Sequence, residues 1–435
     1  MRYHFLLKYY RFKFFAVLIV ILTCYVLINE LFKQQTFQYR ELFLQSSSYK
    51  FQNSQHSVGK QSTVPGLPPF FTNHTNFIPG LFLKGMYPTN QSYCKFNYGA
   101  PYNFSWSEKY VSFTPQQGEK GPYRVLYNVI ERLNPLENLD KFNVTYCTHA
   151  TPEFMYHIVE IVHRWDGPVS VAVFVPYTDA GLCLAVVDHL CRCLPEMSQL
   201  SLHFIFPSTL PPIVSWTSAD YNETHMKSPN KPEFLDCSAP KDLFAGQFKT
   251  FRSQEGLTYP VNVARNVARR GAQTWHILVS DVELLPSEGL VPGFISMLSR
   301  FRKKRGHYST STKFVFVVPV FEVDESLQNV PMTKEQLLDL YAQNKAVYFH
   351  RWICLHCQRF PGLQRWLQRK PGVGGTSFVQ PILVVRREFP YHRWEPIYIG
   401  TNQDPLYSEV LTWEGQQDKM AQVKQQHTQA GREDV

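Results

Sequence analysis

The sequence has few charged residues and only one long apolar run. Asp, Glu, Lys and Arg make up 18% of the 435 residues, whereas 44% of the residues are hydrophobic. A chain of this composition can bury a large core, so disorder along its whole length is excluded. No apolar run of membrane-spanning length follows Gln34, which excludes a multi-pass transporter. We also find no internal repeats.

The signature motifs of several common enzyme classes are missing as well. The sequence has no phosphate-binding P-loop, no G-x-G-x-x-G dinucleotide turn and nothing that resembles a Ser-His-Asp set. Kinase, Rossmann dehydrogenase and hydrolase interpretations therefore lack support. The net charge of +9 does not indicate a nucleic-acid partner, because four basic residues precede the first acidic residue, Glu30.

The one long apolar run predicts a membrane anchor over residues 14–32. The run is uninterrupted over 14–28, and with its weaker extension through Leu31 and Phe32 it is just long enough to span a bilayer. The four basic residues before it leave residues 1–13 in the cytosol and send the body of the protein to the lumen. No small-x-small cleavage site follows the run, so we predict an uncleaved signal anchor, with a cleaved signal or a buried core helix as alternatives. Residues 33–72 are polar and aperiodic and are predicted to form a stem.

Sequons and cysteines agree with a lumenal body. Eight cysteines lie beyond the anchor, an even set compatible with disulfides in an oxidising compartment, although their pairing cannot be read from the sequence. For the C-x-x-C pair Cys354 and Cys357 we favour a disulfide over a metal site, because no second such pair exists. Five N-x-[ST] sites are predicted to be glycosylated: Asn73, Asn90, Asn103, Asn143 and Asn222.

Beyond the stem, apolar runs of strand length alternate with helical patterns, which predicts an α/β fold with a mainly parallel sheet. We assign residues 73–140 to an N-terminal lumenal extension, 141–420 to the main domain and 421–435 to a polar tail. The predicted strands are 169–175, 202–206, 275–280 and 313–320, and the predicted helices are 180–194, 260–270 and 290–301.

An acidic pair, Asp281 and Glu283, directly follows the predicted strand 275–280. In an extended chain, residues i and i+2 point to the same face, here at the carboxyl end of a strand, which is where ligands bind in open α/β sheets. Two hard oxygen ligands suit Mn²⁺ or Mg²⁺ and leave coordination positions open for a diphosphate. The alternative is a turn that carries two solvated acids.

The segments around this pair resemble family 49 of the glycosyltransferases. The stretch YPVNVARNVAR at 259–269 is followed by TWHILVSDVELLPS at 274–287. The resemblance covers roughly residues 142–419, and the other matching segments occur in the same order: RWDGPVSVAV at 164–173, VPVFE at 318–322, PMTKEQL at 331–337 and WEPIY at 394–398.

The resemblance implies a type II Golgi membrane enzyme with a GT-A-like fold. Such an enzyme transfers a sugar from a UDP-sugar donor to a glycoprotein glycan with inversion, aided by Mn²⁺. The relatives that the chain resembles most imply transfer of glucuronate from UDP-glucuronate to a xylose-ended, O-mannosyl glycan of dystroglycan. The alternatives are transfer of N-acetylglucosamine or xylose, or a catalytically inactive lumenal protein of the same family. A homodimer formed through the stem is a further possibility that the sequence leaves open.

The family's motifs assign roles to individual residues. Asp281 and Glu283 match the metal-binding D-x-D, with Glu in place of the usual final Asp. Arg265 and Asn266 match an R-N pair that, like Asp281, would contact the donor; the alternative is a capping or surface role. An inverting transferase needs a base for the acceptor hydroxyl, and the candidates are Glu395 first, then Asp404 and Glu409.

The end of the chain departs from the family pattern. Family members continue with another helix, a strand and a late His that resembles a third metal ligand. Here residues 423–435 are polar, and no apolar strand precedes His427. We therefore do not expect His427 to be that ligand, and together with Glu283 this departure keeps the inactive alternative open.

Overall fold

The computed structural model describes residues 76–133, 143–214, 234–240, 243, 248–305, 315–353, 358–369, 379–385, 391 and 394–411. The predicted anchor at 14–32, the stem at 33–72 and the tail at 421–435 lie outside these ranges. Among the residues described, no helix is both long enough and apolar enough to cross a membrane.

The helices and strands of the described residues alternate along much of the chain. The strands are β1 Lys95–Phe96, β2 Val111–Phe113, β3 Tyr123–Glu131, β4 Val144–Ala150, β5 Val169–Phe174, β6 Leu200–Pro207, β7 His276–Val279, β8 Phe316–Val317, β9 Phe321–Val323, β10 Ala346–Tyr348 and β11 Tyr398–Thr401. The α-helices are α1 Ile158–Arg164, α2 Asp179–Cys193, α3 Phe251–Gln254, α4 Val261–Gly271, α5 Leu290–Arg305, α6 Lys334–Ala342 and α7 Leu363–Gln368. Short 3₁₀ helices lie at Leu81–Leu83, Glu108–Tyr110, Pro152–His157 and Pro195–Gln199.

A nine-stranded sheet organises the fold. Its strand order is β1-β3-β6-β5-β4-β7-β11-β8, with β2 paired to β3. The central strands β6, β5, β4 and β7 run parallel, and antiparallel strands flank them on both sides. The mixed α/β arrangement with a parallel centre fits the predicted GT-A-like fold. Strands β1 to β3, from the predicted N-terminal extension, belong to the same sheet.

Helices cover both faces of the parallel centre. On one face, α4 packs against β4 and β5 through apolar residues such as Ala264, Val267 and Ala268. Residues of α1, α2 and α5 belong to the larger core cluster with the strand residues of the other face. Every residue of β5 is buried, which explains why this strand reads as an unbroken apolar run in the sequence.

The predicted elements with long apolar patterns are confirmed. Strands β5, β6 and β7 and helices α2, α4 and α5 all lie where the sequence predicted them, with their ends shifted by at most four residues. The predicted strand 313–320 is wrong in extent, because within 315–320 only Phe316–Val317 is a strand. The amide of Val318 still donates to the carbonyl of Ile397 at 2.9 Å, and from Phe321 onward the chain pairs with β10 in a separate two-stranded sheet.

Two disulfides join the end of α2 to distant segments. Cys94 pairs with Cys191, and Cys193 pairs with Cys237. Cys147 and Cys183 are buried free thiols, so the even cysteine count does not reflect complete pairing. Burial raises the pKa of Cys147 to about 12, which keeps its thiol protonated and unreactive. Cys354 and Cys357 lie outside the described residues.

Candidate active site at the carboxyl end of the central strands

Asp281 and Glu283 lie in a turn that follows β7. The amide of Leu284 donates to the carbonyl oxygen of Asp281 at 3.0 Å, and the Tyr146 hydroxyl of β4 donates to the carbonyl of Leu284. The prediction of an extended Asp281–Glu283 segment is therefore wrong. Val282, which is buried in the main core, holds the chain in this turn, while Glu283 is exposed.

Asp281 accepts hydrogen bonds from two buried side chains. Its Oδ1 lies 2.9 Å from Nη2 of Arg265 and 3.3 Å from Nε2 of His149. The Arg265 and His149 side chains are 4% and 8% exposed, whereas the Asp281 side chain is 31% exposed. The carboxylate is thus held in place by buried partners and is still partly exposed to solvent. A carboxylate that binds a cation at the edge of a sheet needs both properties.

The register of the sheet brings His149 to Asp281. In the parallel pair of β4 and β7, Cys147 lies opposite Val279, so the same register continued for two residues sets His149 beside Asp281. His149 was not predicted as a site residue, because β4 was not predicted as a strand. The signal available in the sequence was the strand-length run VTYCTHA at 144–150, in which His149 is the second-to-last residue.

Helix α4 and the residue before its N-terminal proline supply further contacts around Asp281. Arg265 also donates through Nη1 to Oδ1 of Asn262, one turn earlier. Tyr259, directly before Pro260 and the start of α4, has its hydroxyl 2.7 Å from Nδ1 of His149. Tyr259 was likewise not predicted as a site residue, although it lies in the motif that carries the family resemblance.

Asn266 and Glu409 belong to a buried polar cluster that does not include Asp281. The Asn266 amide nitrogen donates to Oε1 of Glu409 and to the carbonyl of Tyr407, at 2.8 Å each. Oε2 of Glu409 accepts the backbone amides of Gln116 and Gln117. Both site residues are fully buried, and these bonds fasten the C-terminal segment to α4 and to the turn after β2.

The other two candidate bases lie at opposite ends of β11. In the antiparallel pair of β7 and β11, Leu278 lies opposite Ile399, so Glu395, three residues before the start of β11, precedes the end of β11 that pairs with the carboxyl end of β7. One cleft is lined by Val279 and Pro396, the neighbour of Glu395, and also by Asp404.

Asp404 follows the far end of β11, and its carboxylate accepts the amide of Thr401 at 2.8 Å. Thr401 lies opposite His276, five residues before Asp281, or roughly 16 Å away along a strand. By this register, Glu395 lies before the end of β11 that is closer to the Asp281 turn, and Asp404 lies after the opposite end.

The donor chemistry of this edge fits a hard divalent cation. Asp281 and Glu283 offer carboxylate oxygens, the ligand type that Mn²⁺ and Mg²⁺ prefer. Within the described ranges, Asp281 and Glu283 do not belong to a group of three His, Cys, Asp or Glu residues close enough to bind one metal ion. The one such group there is His189, Cys193 and Cys237, and its two cysteines form a disulfide. Two protein ligands suit a cation that takes its remaining ligands from a diphosphate and water.

Three of the five predicted glycosylation sites lie among the described residues. Asn90 and Asn103 are exposed, as an acceptor for glycosylation must be. Asn143 is half-buried, and its Oδ1 accepts the amide of Val144 at 2.7 Å. Asn73 and Asn222 lie outside the described residues, and glycosylation at all five sites stays a prediction.

Comparison with known proteins places this architecture in a family. Residues 143–429 match the family described as glycosyl-transferase for dystroglycan. Beta-1,4-glucuronyltransferase 1 of Homo sapiens is 28% identical over 298 residues, which cover 66% of this chain and 64% of that protein. The zebrafish enzyme, from Danio rerio, is 26% identical over 295 residues with the same coverage.

A second group of relatives matches a shorter part. Xylosyl- and glucuronyltransferase LARGE2 of Rattus norvegicus is 30% identical over 152 residues, 34% of this chain and 21% of that protein. The chain spans 64% of the length of the glucuronyltransferases that it matches. Because the family match covers well over half of the chain, from β4 through the Asp281 turn to β11 and beyond, the protein belongs to glycosyltransferase family 49, the dystroglycan glycosyltransferases.

Proposed function

We propose that this chain is a type II Golgi membrane glycosyltransferase that transfers glucuronate from UDP-glucuronate, with inversion, to a xylose-ended O-mannosyl glycan of the dystroglycan type. The observation that carries the proposal is the carboxylate of Asp281, held by Arg265 and His149 at the carboxyl end of β7. The names of the relatives support glucuronate as the transferred sugar. The apolar run at 14–32 and the sequons support the Golgi location and the lumenal body.

Asp281 and Glu283 would hold Mn²⁺ or Mg²⁺. Such a cation, when bound, offsets the negative charge that develops on the leaving UDP. Arg265 adds a fixed positive charge beside Asp281 and keeps the carboxylate in place. Preorganised groups of this kind lower the barrier because they need no reorientation during the reaction.

Glu395 is the proposed base. It would accept the proton of the acceptor hydroxyl as the new bond forms to the anomeric carbon and the bond to the diphosphate breaks, which inverts that carbon. Asp404 is less suited because it follows the end of β11 that is farther from Asp281, and Glu409 is less suited because it is buried against the backbone amides of Gln116 and Gln117.

Xylose transfer is the second candidate activity. It is favoured by the similarity to proteins named xylosyl- and glucuronyltransferase, and it would use the same cation site with UDP-xylose. N-acetylglucosamine transfer and the inactive relative are further outcomes that the test distinguishes.

The test is UDP release by the full-length chain in detergent with Mn²⁺ and a xylose-ended acceptor. UDP-glucuronate, UDP-xylose and UDP-N-acetylglucosamine are compared as donors, each with wild type, Asp281→Ala and Asp339→Ala. Asp339 is an exposed acid on α6, so its variant controls for the loss of one surface charge.

We expect release with UDP-glucuronate that Asp281→Ala reduces at least about 100-fold, as loss of a group that acts in the transition state does. Asp339→Ala keeps wild-type activity. Release with UDP-xylose alone supports the second candidate. A folded wild-type protein that releases UDP from no donor overturns the proposed transfer and favours the inactive relative.

A further inference from the structure

His149 connects a buried tyrosine to the proposed metal-binding carboxylate. Its Nε2 lies 3.3 Å from Oδ1 of Asp281, and its Nδ1 lies 2.7 Å from the hydroxyl of Tyr259. His149 and Tyr259 are buried, at 7% and 5% exposed. Both ring nitrogens therefore have protein partners, and neither His149 nor Tyr259 belongs to the residues that the family resemblance assigned to the site.

The two contacts specify one tautomer of a neutral His149. A carboxylate oxygen only accepts hydrogen bonds, so Nε2 must carry a hydrogen to contact Asp281 favourably. Nδ1 is then the acceptor, and the Tyr259 hydroxyl is the donor that matches it. In the other tautomer, the lone pair of Nε2 would face the carboxylate oxygen and repel it. The hydrogen bond at one ring nitrogen thus determines what the other nitrogen can do.

The tyrosine that makes this contact is itself held in place. The Tyr259 ring meets the edge of Phe174 on β5, with 6.1 Å between ring centroids, and the guanidinium of Arg252 lies 5.5 Å from its centre. Tyr259 precedes Pro260 and the first turn of α4, so its backbone is fixed by the helix start. The hydroxyl is therefore presented to His149 by a rigid neighbour.

His149 and Arg265 hold the same oxygen of Asp281 from two directions. His149 belongs to β4 and Arg265 belongs to α4, so the two donors come from the sheet and from the helix layer. Two donors on one carboxylate oxygen prevent rotation of the group. Outer partners of this kind orient metal-binding side chains, and their loss typically weakens metal binding 10- to 100-fold.

We propose that Tyr259 and His149 are positioning residues for the cation site: Tyr259 fixes the tautomer of His149, and His149 orients the carboxylate of Asp281 toward a divalent cation. The inference rests on the proposed function, since it requires that Asp281 bind a cation. Neither residue touches the donor sugar in this scheme, and both act through Asp281.

The test measures the Mn²⁺ affinity of the full-length chain in detergent, in the presence of UDP, by the electron paramagnetic resonance signal of free Mn²⁺. Wild type is compared with Tyr259→Phe, His149→Gln and the double variant. In His149→Gln, the new side-chain amide can donate an N–H from close to the position of Nε2, and it has no tautomers, so it does not need Tyr259. Tyr127→Phe, at a second tyrosine packed against the same apolar cluster, is the matched control.

We expect Tyr259→Phe to weaken Mn²⁺ binding about 10-fold and His149→Gln to retain most of the affinity. In the His149→Gln background, Tyr259→Phe has no further effect, and Tyr127→Phe changes nothing. This non-additive pattern is specific to tautomer control, because a loss of packing at Tyr259 would weaken binding equally in both backgrounds. Circular dichroism of each variant verifies that it is folded.

Equal effects of Tyr259→Phe in the two backgrounds overturn the inference, as does wild-type affinity in Tyr259→Phe. An Asp281→Ala variant separates this failure from that of the proposed function. If Asp281→Ala loses Mn²⁺ while Tyr259→Phe binds it normally, only the positioning role is wrong. If wild type binds no Mn²⁺, or Asp281→Ala binds it as wild type does, the proposed cation site is wrong and the inference with it.

Discussion

Asn266 is bonded to the main chain of Tyr407 in both directions. The amide of Tyr407 donates to Oδ1 of Asn266 at 2.9 Å, and Nδ2 of Asn266 donates to the carbonyl of Tyr407 at 2.8 Å. The Asn266 side chain thus makes the two hydrogen bonds that a neighbouring strand would make with Tyr407, and it holds the segment of Tyr407 against α4. Held in this way, the Tyr407 ring lies 5.4 Å from the guanidinium of Arg265, so the attachment supports the residue that contacts Asp281.

Asn266→Ala is therefore expected to lower the free energy of unfolding by roughly 2–6 kcal/mol, because it removes the Asn266 partner of two buried backbone groups of Tyr407 and the loss costs about 1–3 kcal/mol for each group. Urea denaturation at neutral pH measures the loss. The matched control is Asn402→Ala on the exposed turn, which removes one bond to the carbonyl of Ala272 and should cost under about 1 kcal/mol. Equal losses in the two variants contradict the prediction.

Arg265→Lys tests whether Asp281 needs the planar guanidinium of Arg265 or only its positive charge. Arg265 donates to Asn262 and Asp281 from two different nitrogens, and a single ammonium group cannot reproduce this planar fork. We expect UDP release to fall about 10-fold, since a hydrogen bond to a charged group contributes about 1.5–3 kcal/mol and lysine keeps part of it. Arg270→Lys, at the exposed arginine on the same helix, is the control. A fall of the same size in both variants would argue against the role of the fork.

Much of the parallel centre could be predicted from the sequence, whereas the site could be predicted only in part. Strands β5 and β6 and helices α2 and α4 are recognisable from local apolar patterns, because burial on one or both faces imposes those patterns. The acidic pair was found for the same reason, since it follows directly from the apolar strand β7. The conformation of the acidic pair was not predicted correctly, because the turn depends on the burial of Val282 and on Tyr146, a residue from another strand.

The contacts that complete the site are long-range and leave no local signal. His149 and Asp281 are 132 residues apart and meet through the register of β4 and β7. Glu409 was predicted as a possible base, but whether a carboxylate faces substrate or backbone amides depends on which segment packs over it. Here that segment is the turn at Gln116 and Gln117, 293 and 292 residues away.

The protein should lose stability as the pH falls below about 6.5, the pKa of an unperturbed histidine. His203 is fully buried, and its Nδ1 accepts the amide of Asn128 at 2.9 Å. Burial lowers the pKa of His203 to about 3, and that of His189 to about 4. Between these values and 6.5 the unfolded chain binds protons that the folded chain does not, so each residue reduces stability by up to about 1.4 kcal/mol per pH unit as the pH falls.

Burial raises the pKa of Asp179 to about 6 and also raises the pKa of Glu322, so these two carboxyls act in the opposite direction below about pH 6. Urea midpoints measured from pH 7.5 to pH 5 report the net slope. In His203→Asn, the amide oxygen can accept the Asn128 amide without titrating, so we expect lower stability at pH 7.5 and a shallower slope. A slope that is the same in wild type and variant would show that His203 does not contribute.

The two disulfides should differ in what they contribute to stability. They close loops with sequence separations of 97 and 44 residues, and the chain-entropy relation gives about 4.7 kcal/mol for the longer loop and about 4.0 kcal/mol for the shorter one. We expect Cys94→Ser with Cys191→Ser to be more destabilising than Cys193→Ser with Cys237→Ser, by about 0.7 kcal/mol in urea denaturation. Cys147→Ala, at a buried free thiol, controls for the loss of a sulfur atom without a crosslink. If removal of the Cys193–Cys237 disulfide lowers the free energy of unfolding by more than removal of Cys94–Cys191 does, the prediction is wrong. Contacts around the Cys193–Cys237 bond, such as that with the His189 ring, would then outweigh the difference in loop entropy.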